Sequence, residues 1–187
     1  QKVESLGADA IIAVNRQAGG HAGPYPPERL IPQLKENCTI PIISAGGVAT
    51  KEQLNKMLAL GADGVSVGTP FIASKECNVS DEYKQAIVDF KGKDIVLTNK
   101  ISGTHLAVIN TPYVQEIGTK ATFLEKLMNK NRFLKKYIKM LIFNNGLKAI
   151  EKSAFKATYK TVWVAGPSIE DIHEIKPVKE IIEQLTQ

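Results

Sequence analysis

The chain is short of the residue types whose chemistry is easiest to read. Its 187 residues include two cysteines, one tryptophan and three histidines. Cys38 and Cys77 have no metal-ligand spacing and offer no disulfide framework, so no metal site is expected and a reducing, cytoplasmic setting fits. No apolar run approaches the length needed to span a bilayer and nothing reads as a signal peptide, which argues against a membrane role. No Ser-His-Asp set and no paired-carboxylate arrangement is legible. The lysines come without interleaved aromatics or a recognition-helix pattern, so nucleic acid is not expected as a partner.

What remains is an ordinary globular composition, 43% hydrophobic and 23% charged. The length suits one domain with a good core, or one domain and a large insert. The opening, Gln1 to Gly7, lacks an initiator methionine and reads as the last turn of a helix stopped by Gly7. The expectation is that the chain has lost its beginning.

The most informative stretch is Ala18-Gly19-Gly20-His21-Ala22-Gly23. It follows the apolar run Ala10 to Val14 and precedes the turn-prone Pro24-Tyr25-Pro26-Pro27. Closely spaced glycines let the backbone bend tightly and approach a bound group. They leave the His21 imidazole as the side chain there able to exchange a proton near neutral pH.

A βα pattern repeats around this stretch. Leu6-Gly7-Ala8-Asp9-Ala10 leads into Ile11 to Val14, and Leu60-Gly61-Ala62-Asp63-Gly64 leads into Val65-Ser66-Val67. Between them Ile40-Pro41-Ile42-Ile43-Ser44 reads as a strand buried on both faces. Leu30 to Asn37 predicts a crossover helix with Pro32 in its first turn. Thr50-Lys51-Glu52-Gln53 is a capping box that opens a second helix, stopped by Gly61. Strands and helices alternating at this pitch imply a parallel α/β sheet with right-handed crossovers. Three strands cannot close a barrel, so the sheet reads as a fragment.

Beyond Phe71 the rhythm changes. The patterning predicts a helix over 81–90, strands over 94–98 and 106–109, and a long helix from Phe123 to Phe143. From Lys120 to Lys160 eleven Lys or Arg face only Glu125 and Glu151, while the rest of the chain is net acidic. This is a solvated helical lid, or a surface that attracts an anionic substrate or an acidic partner. Thr161 to Val164 reads as a strand, and Pro177 opens a final amphipathic helix with Val178, Ile181, Ile182 and Leu185. Residues 1–77 therefore read as three βα units, 78–162 as a mostly helical insert or lid, and 163–187 as a return to the first unit. His105 reads as structural, His173 as a surface residue and Cys77 as a packed thiol at a helix start. Tyr25 and Tyr113 are weaker candidates for a substrate pocket.

Two further glycine turns follow predicted strands. These are Ser44-Ala45-Gly46-Gly47-Val48 and Val67-Gly68-Thr69-Pro70. In a (β/α)8 barrel the loops after the last two strands commonly hold a phosphate. Freed backbone N–H groups would bind its oxygens, and Thr69 could add a hydroxyl.

Taken in order, Gly7 to Ala10, Ala18 to Gly23, Pro41 to Val48 and Gly61 to Cys77 resemble the C-terminal half of the nitronate monooxygenase family, formerly the 2-nitropropane dioxygenases. Flavin-dependent enoyl-acyl carrier protein reductases are related and share these motifs. The resemblance implies the last three strands of a TIM barrel with FMN as cofactor. It implies a catalytic role for His21, acting on the substrate's acidic proton or beside the reacting carbon. Gly20 matches a glycine near the flavin. Gly46 and Gly47, with Ala45, match one phosphate turn, and Gly68 and Thr69, with Ser66 and Val67, match the other. Val14, Asn15, Gln17 and Pro167 depart from the family's usual residues. The activity implied is oxidation of an alkyl nitronate or nitroalkane by oxygen. The alternatives are an NADH-dependent enoyl-acyl carrier protein reductase, whose acidic carrier would suit the basic insert, and a phosphate-ligand-binding barrel without redox activity. A homodimer stays open as the assembly.

Overall fold

A computed structural model of the chain describes residues 2–119 and 161–187, together with residues 140, 144, 147, 148 and 150–155. The expected helix from Phe123 to Phe143 falls almost wholly outside the described residues, as does most of the lysine-rich stretch.

The first unit is a parallel sheet of β1 (Ile11–Val14), β3 (Ile42–Ala45) and β4 (Gly64–Ser66), in the order β1-β3-β4. Its crossovers are α1 (Pro27–Asn37) and α2 (Lys51–Ala59), and a short helix, α3 (Thr69–Ile72), follows β4. Helix α1 begins three residues earlier than the apolar spacing suggested. Pro27 takes the first helical position, where a missing N–H costs nothing, and holds Pro26 extended at ψ 155°. Pro32 consequently lies inside the helix rather than in its first turn. The expected capping box on α2 forms: Thr50 Oγ1 accepts from Gln53 N–H, and Gln53 Oε1 accepts from Thr50 N–H. Gly61, at φ +104°, follows the helix end.

The two Gly-Ala-Asp leaders do unequal work. Asp63 donates its own N–H to the Ile42 carbonyl and accepts the Ile42 N–H at 2.9 Å. This stitches the start of β4 to the start of β3. The Ile42 N–H, and then Lys35 at 3.2 Å, hold the Asp63 carboxyl below the usual carboxylate range. A carboxylate with a depressed folded-state pKa adds stability at neutral pH, and that contribution fades as pH falls through the lowered value. Asp63→Asn is therefore expected to flatten the acid limb of the stability curve below about pH 4. Urea midpoints of both proteins across that range check it; parallel acid limbs would refute the assignment.

Helices cover one face of this sheet. Ile31, Met57, Ala62, Ile181 and Leu185 form the core there, Ile181 and Leu185 coming from the last helix, α6 (Val178–Thr186). Val178 is half-buried, whereas Ile182 is 47% exposed: a narrow stripe of the helix faces inward. The expectation of burial on both sheet faces is corrected. Along β3 buried Ile42 and Ser44 alternate with half-buried Ile43 and Ala45, and Ile12 on β1 is 67% exposed. No second layer covers that face among the described residues.

The second unit is built from α4 (Asp81–Asp89), β5 (Ile95–Thr98), β6 (Leu106–Ile109) and α5 (Pro112–Ile117). Its described residues include an antiparallel sheet beside the helices. Cys77 lies in the irregular stretch before α4, its N–H donating to Ser74 Oγ, so it does not start a helix.

Its central strand, β6, pairs with β5 on one edge and with Gly20–His21, a two-residue strand β2, on the other. The same second edge also takes Val164, opposite Val108. Thr161 to Val164 is no strand because the antiparallel register of that bridge sets Val162 and Thr161 opposite Asn110 and Thr111, where β6 has ended and Thr111 caps α5. Ala165 and Gly166 then turn away onto Gly19, where a Cβ would lie 2.8 Å from Gly166 N. Tyr83 holds the return in place. Its ring stacks on Trp163 with centroids 5.7 Å apart, and its hydroxyl donates to the Val164 carbonyl at 2.6 Å. Burial pushes the Tyr83 hydroxyl far above its ordinary pKa.

Candidate functional site

In a parallel sheet all the strands end on the same side, so the loops that follow them gather there. Here those loops are 15–19 after β1, 46–50 after β3 and 67–68 after β4. Between them lies a cleft of about 190 Å³, lined by Ala45, Gly46, Gly47, Ser66, Val67, Gly68 and Thr69 from the two glycine turns. Gln17, Ala18 and Gly19 form a further wall, and Val164 and Ser168 close it from the returning segment.

The glycines are needed for different reasons. Gly46 sits at φ +107°, and a Cβ there would run into the backbone of Ala18. Gly47, at φ +77°, lies under the Gln17 side chain. A Cβ on Gly68 would meet nothing within 4 Å, because this residue faces open space. Thr69 is buried, and its Oγ1 accepts the Gly166 N–H at 3.4 Å, which leaves its own proton to donate.

One residue that sequence reading left aside organises the cleft. Asn15, fully buried at the end of β1, donates through Nδ2 to the Gly46 carbonyl at 2.9 Å and to Ser44 Oγ at 3.3 Å. Its Oδ1 accepts the Gln17 N–H at 2.7 Å, and its own carbonyl accepts from Ala18 and Gly23. Asn15 therefore joins the loop after β1 to the turn after β3. The available signal was a polar residue directly after an apolar strand and before a glycine turn.

Sequence reading put His21 and Gly20 on an open glycine loop. They form β2 instead, Gly20 opposite Ala107 and His21 opposite Leu106. Neither lines the cleft, although the same loop supplies its Gln17-Ala18-Gly19 wall. The His21 side chain is exposed, with Nε2 3.1 Å from Ser102 Oγ. His105 is exposed, and its carbonyl accepts the Ala22 N–H. His173 is exposed on a separate groove beside Asp171, Glu174 and Lys176. Tyr25 packs under Arg29, and Tyr113 packs against the core of the second sheet. Among the described residues no group of His, Cys, Asp and Glu could hold a metal, and no helix is long and apolar enough to cross a membrane.

Among the described residues the cleft wall holds no charged side chain. It offers the backbone of two glycine turns, the hydroxyls of Ser66, Thr69 and Ser168, and the Gln17 amide. That donor set fits a phosphate group. Complete cofactor pockets usually run to about 300–1,000 Å³. The cleft thus suits the phosphate end of a nucleotide-like ligand rather than the whole of one.

The sequence model of the family described as nitronate monooxygenase matches residues 1–187. A curated relative, "Probable nitronate monooxygenase" of Staphylococcus aureus strain Newman, is 34% identical over 124 residues, which is 61% of this chain and 35% of that protein. Among solved structures, FabK from Thermotoga maritima aligns with TM-score 0.79 and 31% identity over 98% of this chain and 55% of its own. Nitroalkane oxidase from Streptomyces ansochromogenes aligns with TM-score 0.70 and 25% identity over 98% of this chain and 52% of its own. The chain spans about a third of the curated relatives' length and about half of the solved chains.

Proposed function

Because this chain belongs to the nitronate monooxygenase family, a family of oxidoreductases, we propose that it supplies the histidine and the phosphate-binding turns for FMN-dependent oxidation of alkyl nitronates or nitroalkanes by oxygen. The observation that carries this reading is the cleft at the ends of β3 and β4, formed by two glycine turns and, among the described residues, lined by no charged side chain. In this reading residues 1–77 are the last three βα units of a barrel, 78–162 an insert and 163–187 the return to the barrel.

The turns Ala45-Gly46-Gly47 and Ser66-Val67-Gly68-Thr69 would hold the FMN phosphate through backbone N–H groups and the Thr69 hydroxyl. Gly20 would lie near the flavin ring. Asn15 keeps the two walls in register, and Gln17, over Gly47, limits entry of water. His21 would take the substrate's acidic proton or hold it beside the reacting carbon. Bound FMN would supply the redox chemistry between substrate and oxygen.

A second reading, reduction of an enoyl thioester by NADH, draws support from the eleven Lys or Arg between Lys120 and Lys160, which suit an acidic carrier protein. The likeness to FabK over 98% of the chain is compatible with it.

Titration of the full-length protein with FMN tests the shared part of both readings. Saturable uptake with a bound-flavin visible spectrum is expected. A flat spectrum with FMN in excess would leave a phosphate-ligand-binding barrel without redox activity. Oxygen uptake with a nitronate against NADH oxidation with an enoyl thioester then separates the two flavin chemistries.

A further inference from the structure

His21 is held by a residue that lies 81 positions away in the chain. Ser102, 2% exposed in the turn between β5 and β6, has its Oγ 3.1 Å from His21 Nε2. The same oxygen lies 3.1 Å from Thr104 Oγ1 and 3.3 Å from the Thr104 carbonyl. A serine hydroxyl has one proton to give and two lone pairs to offer. The Thr104 carbonyl can only accept, so the Ser102 proton goes there. The two lone pairs then receive the Thr104 O–H and an N–H from the imidazole. The three contacts of Ser102 Oγ are all satisfied in this arrangement, with neutral His21 protonated at Nε2. If Ser102 gave its proton to the ring instead, its buried oxygen would face the Thr104 carbonyl lone pair against lone pair.

We propose that Ser102 is a positioning residue: it fixes His21 as the Nε2–H tautomer and so makes Nδ1 the nitrogen that accepts a proton. The inference deepens, and rests on, the catalytic reading of His21. With a nitroalkane, the substrate's C–H bond would break as an N–H bond forms at Nδ1. The electron pair stays on the substrate as the nitronate. The imidazolium keeps its Nε2–H donated to Ser102, whose accepting lone pair faces the new positive charge. The backbone geometry favours such a rigid arrangement, since β2 pairs directly with β6, the strand that follows the Ser102 turn.

The tautomer is read without flavin or substrate. Nitrogen-15 NMR of the histidine-labelled chain, at alkaline pH where the imidazole is neutral, is expected to show His21 protonated at Nε2. The resonance is assigned with His21→Gln. Ser102→Ala should give a mixture of tautomers, and Ser102→Thr should restore the single form. In the flavin-loaded protein Ser102→Ala should lower kcat at least about tenfold with KM and FMN affinity unchanged, as expected for loss of a group acting only in the reaction step. Ser102→Thr should recover most of that loss. A wild-type His21 protonated at Nδ1 overturns the proposal, and that measurement needs no variant to fold. So does a Ser102→Ala protein with unchanged tautomer and kcat. Should His21→Ala itself retain turnover, the catalytic reading falls while the tautomer result stands on its own.

Discussion

Replacing His21 with Ala is expected to abolish nitronate turnover and leave flavin binding intact. The two effects separate because the residue attaches to the fold through its main chain. Gly20 and His21 pair with Ala107 and Leu106 by backbone hydrogen bonds, and truncation at Cβ leaves those bonds in place. The His21 side chain is exposed and bonds to Ser102 Oγ. Losing a side-chain hydrogen bond at an exposed ring costs about 1 kcal/mol or less. His21 also stands outside the wall of the cleft proposed to hold the phosphate, so FMN affinity should change little. A positioned general base contributes about 10²–10⁴ in rate, and kcat should fall by that factor. Steady-state oxygen uptake, with the visible spectrum recorded on the same sample, checks both halves. Undiminished turnover would remove His21 from the chemistry, and loss of the flavin spectrum would move it into cofactor binding.

Gly46→Ala should act in the opposite sense, through the cofactor and the fold rather than through the proton. At φ +107° an L-residue is strained by about 1–3 kcal/mol. The new methyl would also press on Ala18, whose Cβ lies 2.8 Å from the ideal position. Ala18 is itself buried and tied to Asn15 by its N–H, so it has little room to retreat. The turn must therefore shift, and with it the Gly46 carbonyl that accepts from Asn15. We expect a stability loss of about 2–4 kcal/mol, and FMN affinity lowered at least about tenfold. Gly68→Ala is the matched control. Its Cβ would enter open space at an ordinary φ of −120°, so the fold should be unaffected. Urea unfolding distinguishes the two variants, and FMN fluorescence titration of Gly46→Ala reads the cofactor effect. Equal behaviour of the two would refute the close approach of Gly46 to Ala18.

The parts of this molecule that were legible in the chain share one property: their causes are local. The capping box at Thr50, the stops at Gly7 and Gly61, and the β-branched runs of β1 and β3 each arise from residues within a turn or two of one another. The glycine turns after β3 and β4 are of the same kind, and parallel order carries both to one end of the sheet. Even the error at α1 was local. Ile31 and its neighbours gave the helical period, but Pro27, not Pro32, was the residue suited to open the helix.

What stayed hidden depends on partners far away in sequence. Nothing near His21 announces that it will pair with Leu106 or meet Ser102, because edge pairing depends on a register set by the distant β5–β6 hairpin. Val164 is a related case. Its neighbours have strand-forming side chains, yet the antiparallel register sets Val162 and Thr161 opposite Asn110 and Thr111, where β6 has ended and α5 is being capped. Asn15 shows the third case. A polar side chain can be fully buried only where several groups from separate loops converge to satisfy it, and that convergence exists only once β1 and β3 are side by side. The sequence by itself thus determined the family, the parallel βα order and the glycine turns, since these rest on short-range propensity and spacing. The tertiary structure alone decided which groups meet: His21 with Ser102, Asn15 with the Gly46 carbonyl, Thr69 with the Gly166 N–H. Such contacts form between segments whose separation along the chain carries no local signal.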